Sequence, residues 1–375
     1  MTMIERNTRG FSAPSRYFQG PGEINNMQTY TSLYGKRVFM LIDVVFFEQL
    51  TRNFKKLYAK HGDYLLTELF GGEITEKEIK RVFKKANAYG ADVVVGIGGG
   101  KTIDTVKAVA DDLHVPVVIV PTTASSDAPC SSMSIIYHEN GTHSHERNYI
   151  KNPDVVVVDS EIIAKAPIRF LVAGMGDALS TYFEARANSI SDSANYVNLG
   201  NGGGYRRTNA AMEISRLCYN ILLRDGFKAK LDAEAGICTR ELENIIEANI
   251  LLSGIGFENV GCAGAHSLNY AIAEIPQGVK VLHGERVAFG VIVQLVAEGS
   301  SMSEITEVIE FCMKVGLPVT LEDMGIEATS QNIEIIAKAS MGPLWDSEPF
   351  KVTWESVYNS IKSANVLGHY FKEKR

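Results

Sequence analysis

The sequence predicts an α/β domain built on a parallel sheet, followed by an all-helical domain. In the first half, short apolar runs rich in β-branched residues alternate with helical segments. Fully apolar strands separated by helices indicate a parallel sheet that is covered on both faces. After about Pro167 the segments become long and apolar at helical spacing, and strand-like runs cease. We therefore expect residues 1–166 to form the α/β domain and residues 167–375 the helical domain.

Each predicted element follows from its pattern of apolar residues. Strands are expected at residues 38–42, 93–97, 115–120 and 155–158, and helices of the first domain at 75–89 and 102–111. In the second domain the helical pattern covers residues 169–188, 209–225, 239–254 and 285–298. Because residues 153–167 join the two patterns, we place the junction there and expect the active site in the cleft between the domains.

Composition excludes several classes of protein. The chain has 375 residues, 45% hydrophobic and 22% charged, which is typical of a globular protein large enough for two domains. A net charge of −7 argues against a nucleic-acid or anionic-membrane surface. No apolar run predicts a membrane span or a secretory signal. The five scattered cysteines, never spaced as C-x-x-C, indicate reduced thiols in a cytoplasmic protein.

Three consecutive glycines follow the apolar run at residues 93–97. Gly98, Gly99 and Gly100 suit a backbone that passes close to a ligand, since glycine inside a regular element costs conformational entropy. A strand, a glycine turn and a helix N-terminus together favour a phosphate group. The alternative is a tight turn without a ligand. The spacing fits neither a P-loop nor the G-x-G-x-x-G fingerprint, so we predict a pyrophosphate site of another design.

Two other segments follow predicted strands. Asp43 comes after residues 38–42, where a carboxylate accepts hydrogen bonds from an adenosine ribose and repels a 2′-phosphate, favouring NAD over NADP. A helix-capping role for Asp43 fits its position equally well. Residues 121–137 follow the strand predicted at residues 115–120 and are rich in serine and threonine. Because ligands bind beyond the carboxyl ends of parallel strands, we expect a binding loop there rather than a plain solvated loop.

Three possible metal ligands lie in the helical half. Asp177, His266 and His283 are each flanked by glycine and apolar residues. One such residue alone is most often a polar group of the core, but three of them fit a divalent cation with one aspartate and two histidine ligands. Three protein ligands leave a coordination position open, as catalytic zinc requires. The other histidines lie in polar or loop contexts and are expected at the surface: His61, His114, His138, His143, His145 and His369.

Four motifs, at residues 96–108, 121–131, 174–187 and 283–290, together resemble the glycerol dehydrogenase branch of the iron-containing alcohol dehydrogenases. The resemblance covers nearly the whole chain. It implies a Rossmann-like N-terminal domain and a helical C-terminal domain, in a dehydroquinate synthase-like architecture. It also implies NAD as the hydride carrier and a metal ion in the cleft between the domains.

The resemblance further implies roles for individual residues. Asp43 would bind the adenosine ribose, and Gly99, Gly100 and Lys101 the pyrophosphate. Thr122, Ser125, Ser131, Met133 and Tyr137 would line the cofactor. Asp127 would face the substrate as the catalytic residue, although a water chain is an alternative carrier of the proton, and Asp177, His266 and His283 would hold the metal.

The sequence departs from the family pattern in three places. Iron-using members carry a further histidine one helical turn after the aspartate ligand, but this chain has Thr181, which favours zinc over ferrous iron. Residues 200–207 look like an insertion that forms a loop rather than a second phosphate site. Residues 342–350 are unlike the usual C-terminal segment. Either segment could reshape subunit contacts or the mouth of the cleft.

The resemblance implies oxidation of the secondary hydroxyl of glycerol to dihydroxyacetone, by a homo-oligomer that is often an octamer in this family. One alternative is a dehydrogenase for another 1,2-diol, an amino alcohol or a larger polyol. A dehydroquinate-synthase-like lyase needs clustered cations around the metal, whereas Arg286 is the main cation near these motifs. A non-catalytic NAD-binding protein would be expected to have lost a ligand or the glycine turn, and both are present.

Overall fold

Strands and helices alternate through the first half of the chain, as predicted. The computed structural model describes residues 7–199 and 204–374. The elements of this half, in chain order, are β1 (Tyr17–Gly20), α1 (Met27–Thr31), β2 (Arg37–Ile42), α2 (Phe47–His61), β3 (Tyr64–Leu69), α3 (Glu76–Tyr89), β4 (Val93–Gly98), α4 (Gly100–Leu113), β5 (Val117–Pro121), β6 (Met133–Tyr137), β7 (His143–Asn148), β8 (Val155–Asp159) and α5 (Ser160–Ala164).

Six of these strands form one parallel sheet in the order β1-β8-β5-β4-β2-β3. The chain runs outward from β2 to β3 on one side and from β4 through β5 to β8 on the other. The order therefore reverses between β2 and β4, whose carboxyl ends flank a crevice of the kind in which α/β sheets bind ligands. Asp43 and the glycine turn follow these two strands.

Both faces of the sheet are buried, which explains the fully apolar strands. Alternate strand residues such as Met40 and Val95 pack towards Phe54 and Tyr58 of α2. The residues between them, such as Val94, face α3 and α4 and join the core of the helical half. This parallel sheet with helices on both faces confirms the predicted fold class of the first half.

Four strands of the first half were not predicted from the sequence: β1, β3, β6 and β7. The edge strands β1 and β3 carry partly exposed residues and no continuous apolar run, so their pattern is weak. The expected binding loop at residues 121–137 ends in β6, which pairs antiparallel with β7. Only residues 122–132 therefore lie outside regular strands, with a short 3₁₀ turn at Ala128–Cys130.

The second half is helical, as predicted. Its helices are α6 (Ile168–Ser191), α7 (Asn209–Glu234), α8 (Arg240–Glu247), α9 (Ser253–Val260), α10 (Gly264–Ile272), α11 (His283–Ala297), α12 (Met302–Val315), α13 (Ser330–Ala339) and α14 (Trp354–Glu373). The helix expected at residues 239–254 is interrupted by a π-helical segment, Ala248–Leu252, between α8 and α9. Among the described residues, no helix is both long and apolar enough to cross a membrane.

The change from sheet to helices occurs between Asp159, the end of β8, and Ile168, the start of α6. We propose that the two domains comprise residues 1–166 and 167–375. Residues 200–203 of the presumed insertion lie outside the described residues. The remainder runs without helix to Thr208, the N-cap of α7, and Arg206 forms an isolated bridge with Arg9.

Candidate active site

The structure brings together Asp177, His266 and His283, which lie far apart in the sequence. Asp177 is in the middle of α6, His266 is in the first turn of α10, and His283 is the first residue of α11. The Nε2 atoms of His266 and His283 lie 3.6 Å and 3.0 Å from Asp177 Oδ1. One potential ligand atom from each residue lies within 4.8 Å of the other two.

Two glycines allow α6 and α11 to approach closely enough to form this cluster. A Cβ atom on Gly284 would lie 1.7 Å from Ala173 O, and one on Gly176 would lie 2.3 Å from Gly284 O. A larger residue at either position would push the helices apart in a close-packed interior. Because His283 precedes Gly284, this contact sets His283 beside Asp177.

The side chains of the cluster fit a bound cation. Both carboxylate oxygens of Asp177 are buried and accept no well-formed hydrogen bond from the described residues. Burial by itself would raise the pKa of Asp177, but the imidazoles of His283 and His266 lower it below its usual range. An ionised carboxylate facing two imidazole nitrogens is a donor set for zinc and related divalent ions. The His283 side chain is 39% exposed, which leaves the cluster accessible to a small molecule.

A second carboxylate holds His266 from the other side of its ring. Glu184 Oε2 lies 2.8 Å from His266 Nδ1, and Glu184 Oε1 accepts hydrogen bonds of 2.8 Å and 3.0 Å from the N–H groups of Ala263 and His266. Burial lowers the pKa of His266, but nearby Cys262 and Glu184, together with Asp177, raise it well above its usual range. His266 is therefore fixed between two carboxylates.

Asp127, the predicted catalytic residue, lies within electrostatic reach of this cluster. Its Oδ2 accepts a 2.9 Å hydrogen bond from Ser253 Oγ. Burial and the negative charge of Asp177 raise the pKa of Asp127 well above its usual range. A carboxyl group with a raised pKa suits proton transfer near neutral pH. Ser253 directly follows the π-helical segment, and such segments are frequent at functional sites.

The glycine turn lies at the carboxyl end of β4, as its pattern predicts. Gly99 is the N-cap of α4 and provides no side chain to cap the helix. A Cβ atom on Gly99 or Gly100 would meet no described atom within 4 Å, so their backbone borders open space that a ligand can fill. A Cβ atom on Gly98 would instead collide with Thr102 Oγ1 at 2.6 Å. The uncapped helix start and open backbone fit a pyrophosphate group.

Asp43 lies beside this turn, across the crevice. Its N–H donates to Ile97 O at 2.9 Å, and its Cβ lies 3.1 Å from the position that a Cβ on Gly98 would occupy. The capping alternative does not describe its contacts, because the N-cap of α2 is Phe46 and Asp43 Oδ1 accepts from Val45 N–H at 3.1 Å. Asp43 thus shapes the turn after β2 and is only partly buried.

Three other predicted cofactor residues border the same edge of the sheet. Lys101 is exposed and forms an ion pair with Glu73. Thr122 follows β5 and donates its N–H to Gly98 O at 3.1 Å. Ser125 Oγ lies 3.2 Å from Thr123 Oγ1.

A buried lysine fixes the remaining part of the binding loop. Lys107 of α4 is 3% exposed, and its Nζ donates to Ala128 O at 2.7 Å, Met133 O at 2.6 Å and Ser131 Oγ at 3.2 Å. Lys107 Nζ also forms an ion pair with Asp104 Oδ1 at 3.0 Å. The Ser131 hydroxyl is therefore buried and directed towards Lys107.

Tyr137 ends β6 and is half-buried, with its ring 6.4 Å from that of His143. The six histidines that we expected at the surface are exposed. All five cysteines are free, and Cys238 is the exposed one. The exposure of these six histidines agrees with their expected position at the surface.

The parallel sheet, the glycine turn and the aspartate–histidine cluster are the features expected of a metal-dependent dehydrogenase. The sequence pattern described as "Iron-containing alcohol dehydrogenase" matches residues 14–160. Glycerol dehydrogenase from Citrobacter freundii is 43% identical over 359 residues, covering 95% of this chain and 97% of that protein. Glycerol dehydrogenase from Thermotoga maritima is also 43% identical, covering 96% and 97%.

A solved structure, that of a probable glycerol dehydrogenase from Sinorhizobium meliloti, superposes with a TM-score of 0.90 at 43% identity, covering 96% of this chain and 99% of that one. The chain belongs to the iron-containing alcohol dehydrogenase family. It is an oxidoreductase that acts on CH–OH groups, and its family supports NAD and a metal ion as cofactors.

Sequence reasoning missed three residues that organise this site: Glu184, Lys107 and Ser253. Lys107 offered a signal, because it interrupts an otherwise apolar run of α4. Glu184 also offered one, since it lies two helical turns after Asp177 and so on the same face. Ser253 offered none, because the π-helical segment that orients it has no clear sequence pattern.

Proposed function

We propose that this protein oxidises the secondary hydroxyl of glycerol to dihydroxyacetone, with NAD as hydride acceptor and a divalent metal ion, which we propose to be zinc. The observation that carries the proposal is the convergence of Asp177, His266 and His283 on a common point. The similarity to glycerol dehydrogenases over nearly the whole chain supports the substrate.

The choice of zinc rests on the surroundings of Asp177. Thr181 lies one helical turn further along α6, where iron-using relatives have a histidine. Its Oγ1 is 3.1 Å from Ser253 Oγ, so this side chain is engaged in a hydrogen bond within the core. Three protein ligands with an open position suit zinc, whereas a fourth nitrogen ligand favours ferrous iron.

The residues of this chain have separate tasks in the proposed reaction. Asp177, His266 and His283 would hold the cation, which would supply Lewis acidity that lowers the pKa of a substrate hydroxyl. Asp127 accepts a hydrogen bond from the polyol and takes up the hydroxyl proton, while Ser253 keeps its carboxyl group oriented. NAD, when bound, would supply the hydride acceptor, and the balanced reaction would convert glycerol and NAD⁺ into dihydroxyacetone, NADH and a proton.

The cofactor site is proposed to follow the carboxyl edge of the sheet. Asp43 accepts hydrogen bonds from the adenosine ribose, and Gly99, Gly100 and Lys101 bind the pyrophosphate. Binding of the pyrophosphate competes with Glu73 for Lys101. The remaining cofactor-lining residues are proposed to be Thr122, Ser125, Ser131, Met133 and Tyr137.

A lyase of the dehydroquinate synthase type is disfavoured by the environment of Arg286. This guanidinium group donates to Asn269 Oδ1 at 3.0 Å and to Gly278 O at 3.2 Å, so it is already engaged by neutral partners.

We also propose that the protein assembles into a homo-oligomer in the cytoplasm, for example an octamer. Light scattering of the purified protein measures its size.

A substrate panel tests the proposed function. Initial rates are measured with NAD or NADP on glycerol, 1,2-propanediol, ethanol and an amino alcohol, before and after treatment with a strong chelator. We expect NAD-dependent turnover of glycerol that chelation removes and zinc restores. Two neighbouring hydroxyls provide two metal bonds and a lone hydroxyl only one, so ethanol should be a poor substrate. Equal turnover of ethanol and glycerol would contradict the proposal, and faster turnover of another diol would change the substrate.

A further inference from the structure

Glu184 contacts both the backbone and the ring of His266. It lies seven positions after Asp177 on α6, so the two carboxylates project from the same helix face. Glu184 approaches His266 Nδ1 at 2.8 Å, and Asp177 lies 3.6 Å from Nε2. One helix therefore provides a carboxylate for each nitrogen of the same imidazole.

The contact with Glu184 determines which nitrogen of His266 is free to bind a cation. A histidine that binds a metal ion is neutral, and an ionised carboxylate only accepts hydrogen bonds, so the one remaining proton of the imidazole must lie on Nδ1, facing Glu184. Nε2 then carries the lone pair, directed towards Asp177 and His283. A carboxylate at the second ring nitrogen also increases the basicity of a histidine ligand and fixes the plane of its ring.

Glu184 also fixes the start of the helix that carries His266. The N-cap of α10, Ala263, has no side chain that can accept a hydrogen bond. Glu184 Oε1 takes this role for two N–H groups, those of Ala263 and His266. The N–H of Gly264 is bonded to Glu348 at 3.3 Å, and that of Ala265 to Gln294 at 3.0 Å. Of these three acceptors, only Glu184 binds the imidazole as well.

A second cation site is the competing interpretation, because Glu184, Cys262 and His266 have potential ligand atoms within 4.8 Å of one another. The geometry disfavours it, because Glu184 Oε1 already accepts from two backbone N–H groups and Oε2 lies 2.8 Å from His266 Nδ1.

We propose that Glu184 is a positioning residue for the metal site, which holds His266 in the tautomer and orientation that direct Nε2 at the cation. The inference rests on the proposed function in that it takes His266 to be a metal ligand. Glu184 is fully buried and acts through His266 rather than by touching substrate.

Zinc affinity of the purified full-length protein tests this role separately from activity. Competition with a chromophoric chelator measures the dissociation constant for Zn²⁺ in the parent and in Glu184→Gln. The glutamine keeps an oxygen for the start of α10 but removes the charge opposite Nδ1. We expect affinity to fall about 10- to 100-fold, while NAD binding, followed by fluorescence, stays as in the parent. Glu184→Asp keeps the charge at a shorter reach and should lie between the two.

Glu258→Gln is the matched control. Glu258 is also buried and accepts hydrogen bonds from Ser132 and Asn152, away from His266. The zinc affinity of the Glu258→Gln protein should stay within about threefold of the parent, since distant sites act independently. Parent-like affinity in Glu184→Gln, or an equal loss in Glu258→Gln, would overturn the role of Glu184. If Glu184→Gln does not fold, parent-like zinc affinity in Glu184→Asp would also overturn the role of Glu184. A parent that binds no zinc would instead overturn the proposed function.

Discussion

Ser253 donates a 2.9 Å hydrogen bond to Asp127 across the junction between the helical half and the binding loop. The approach is close because Gly254 follows Ser253, and a Cβ there would lie 2.7 Å from Cys130 Cβ. Asn249 of the π-helical segment strengthens the same junction, donating to Ala124 O at 3.0 Å. The geometry of Asp127 therefore depends on an irregular helix in the other half of the chain.

Replacing Ser253 by alanine should impair turnover and shift its pH dependence. The hydroxyl stabilises the charged form of Asp127, so its loss raises the pKa of Asp127 further. The acid limb of the pH–rate profile should move to higher pH, and kcat should fall about tenfold, the equivalent of one charged hydrogen bond. Ser215→Ala removes a buried hydroxyl that donates to Ala211 O and serves as the control. An unshifted profile in Ser253→Ala would remove Ser253 from the mechanism.

Replacing His283 by alanine should abolish turnover but leave NAD binding intact. His283 belongs to the aspartate–histidine cluster, whereas the glycine turn lies at the edge of the sheet. We expect kcat/KM to fall by about a hundredfold or more, with an unchanged dissociation constant for NAD by fluorescence titration. His61→Ala, at an exposed histidine at the end of α2, is the control. A folded His283→Ala protein that no longer binds NAD would contradict the separation of the two sites.

Replacing Asp43 should weaken the preference for NAD over NADP. Asp43→Asn keeps an acceptor for Val45 N–H, so the turn is preserved while the charge that repels a 2′-phosphate is lost. The ratio of kcat/KM for the two cofactors should change by about tenfold, or ~1.4 kcal/mol. Asp43→Gly, which also removes the turn contact, should relax selectivity further. Unchanged selectivity in both variants would exclude Asp43 from the ribose site.

Glu348 makes the stability of the protein depend on pH. Burial, reinforced by Glu298, raises the pKa of Glu348 to about 8 from its ordinary value of 4.5. The folded state therefore binds a proton that the unfolded state releases, and this contribution to stability is lost as pH rises from about 4.5 to about 8. Glu348→Gln, which cannot ionise, should be more stable than the parent at high pH, by about 1 to 3 kcal/mol, but not at about pH 5.

Denaturant unfolding at several pH values measures this difference. Glu355→Gln, at an exposed position in the first turn of α14, is the control and should show no such trend. A difference between Glu348→Gln and the parent that stays constant from about pH 5 to 8.5 would show that Glu348 does not retain its proton in the folded state.

The sequence was most informative where one physical requirement dominates a segment. Burial on both faces makes β2, β4, β5 and β8 apolar throughout, and their predicted ranges differ from the structure by no more than a few residues at the ends. The edge strands β1 and β3 need no such pattern and were missed. The range predicted for α6 was close to its observed bounds, because its apolar spacing persists over many turns. By contrast, α7 continues to Glu234, beyond its predicted end at residue 225, and α2 and α14 were given no predicted range.

The candidate site was predictable only as far as its residues carry unusual chemistry for their surroundings. Asp177, His266 and His283 were conspicuous because polar side chains interrupt glycine-rich apolar stretches. Glu184 and Ser253 were not, because their roles depend on helix register and on a π-helical turn that only the structure reveals. Likewise, the buried position of Glu348 depends on the packing of Trp345 against Gly264, and Trp345 and Glu348 belong to the segment that departs from the family pattern.

Metal analysis of the active protein, paired with Asp177→Asn, tests the central claim most directly. If one carboxylate and two imidazoles bind a catalytic cation, the parent should contain about one divalent ion per chain. Asp177→Asn, whose side chain is isosteric but neutral, should contain none and be inactive while keeping its fold and its NAD binding. A parent that remains fully active without a bound ion, or an Asp177→Asn protein that retains both ion and activity, would contradict the account.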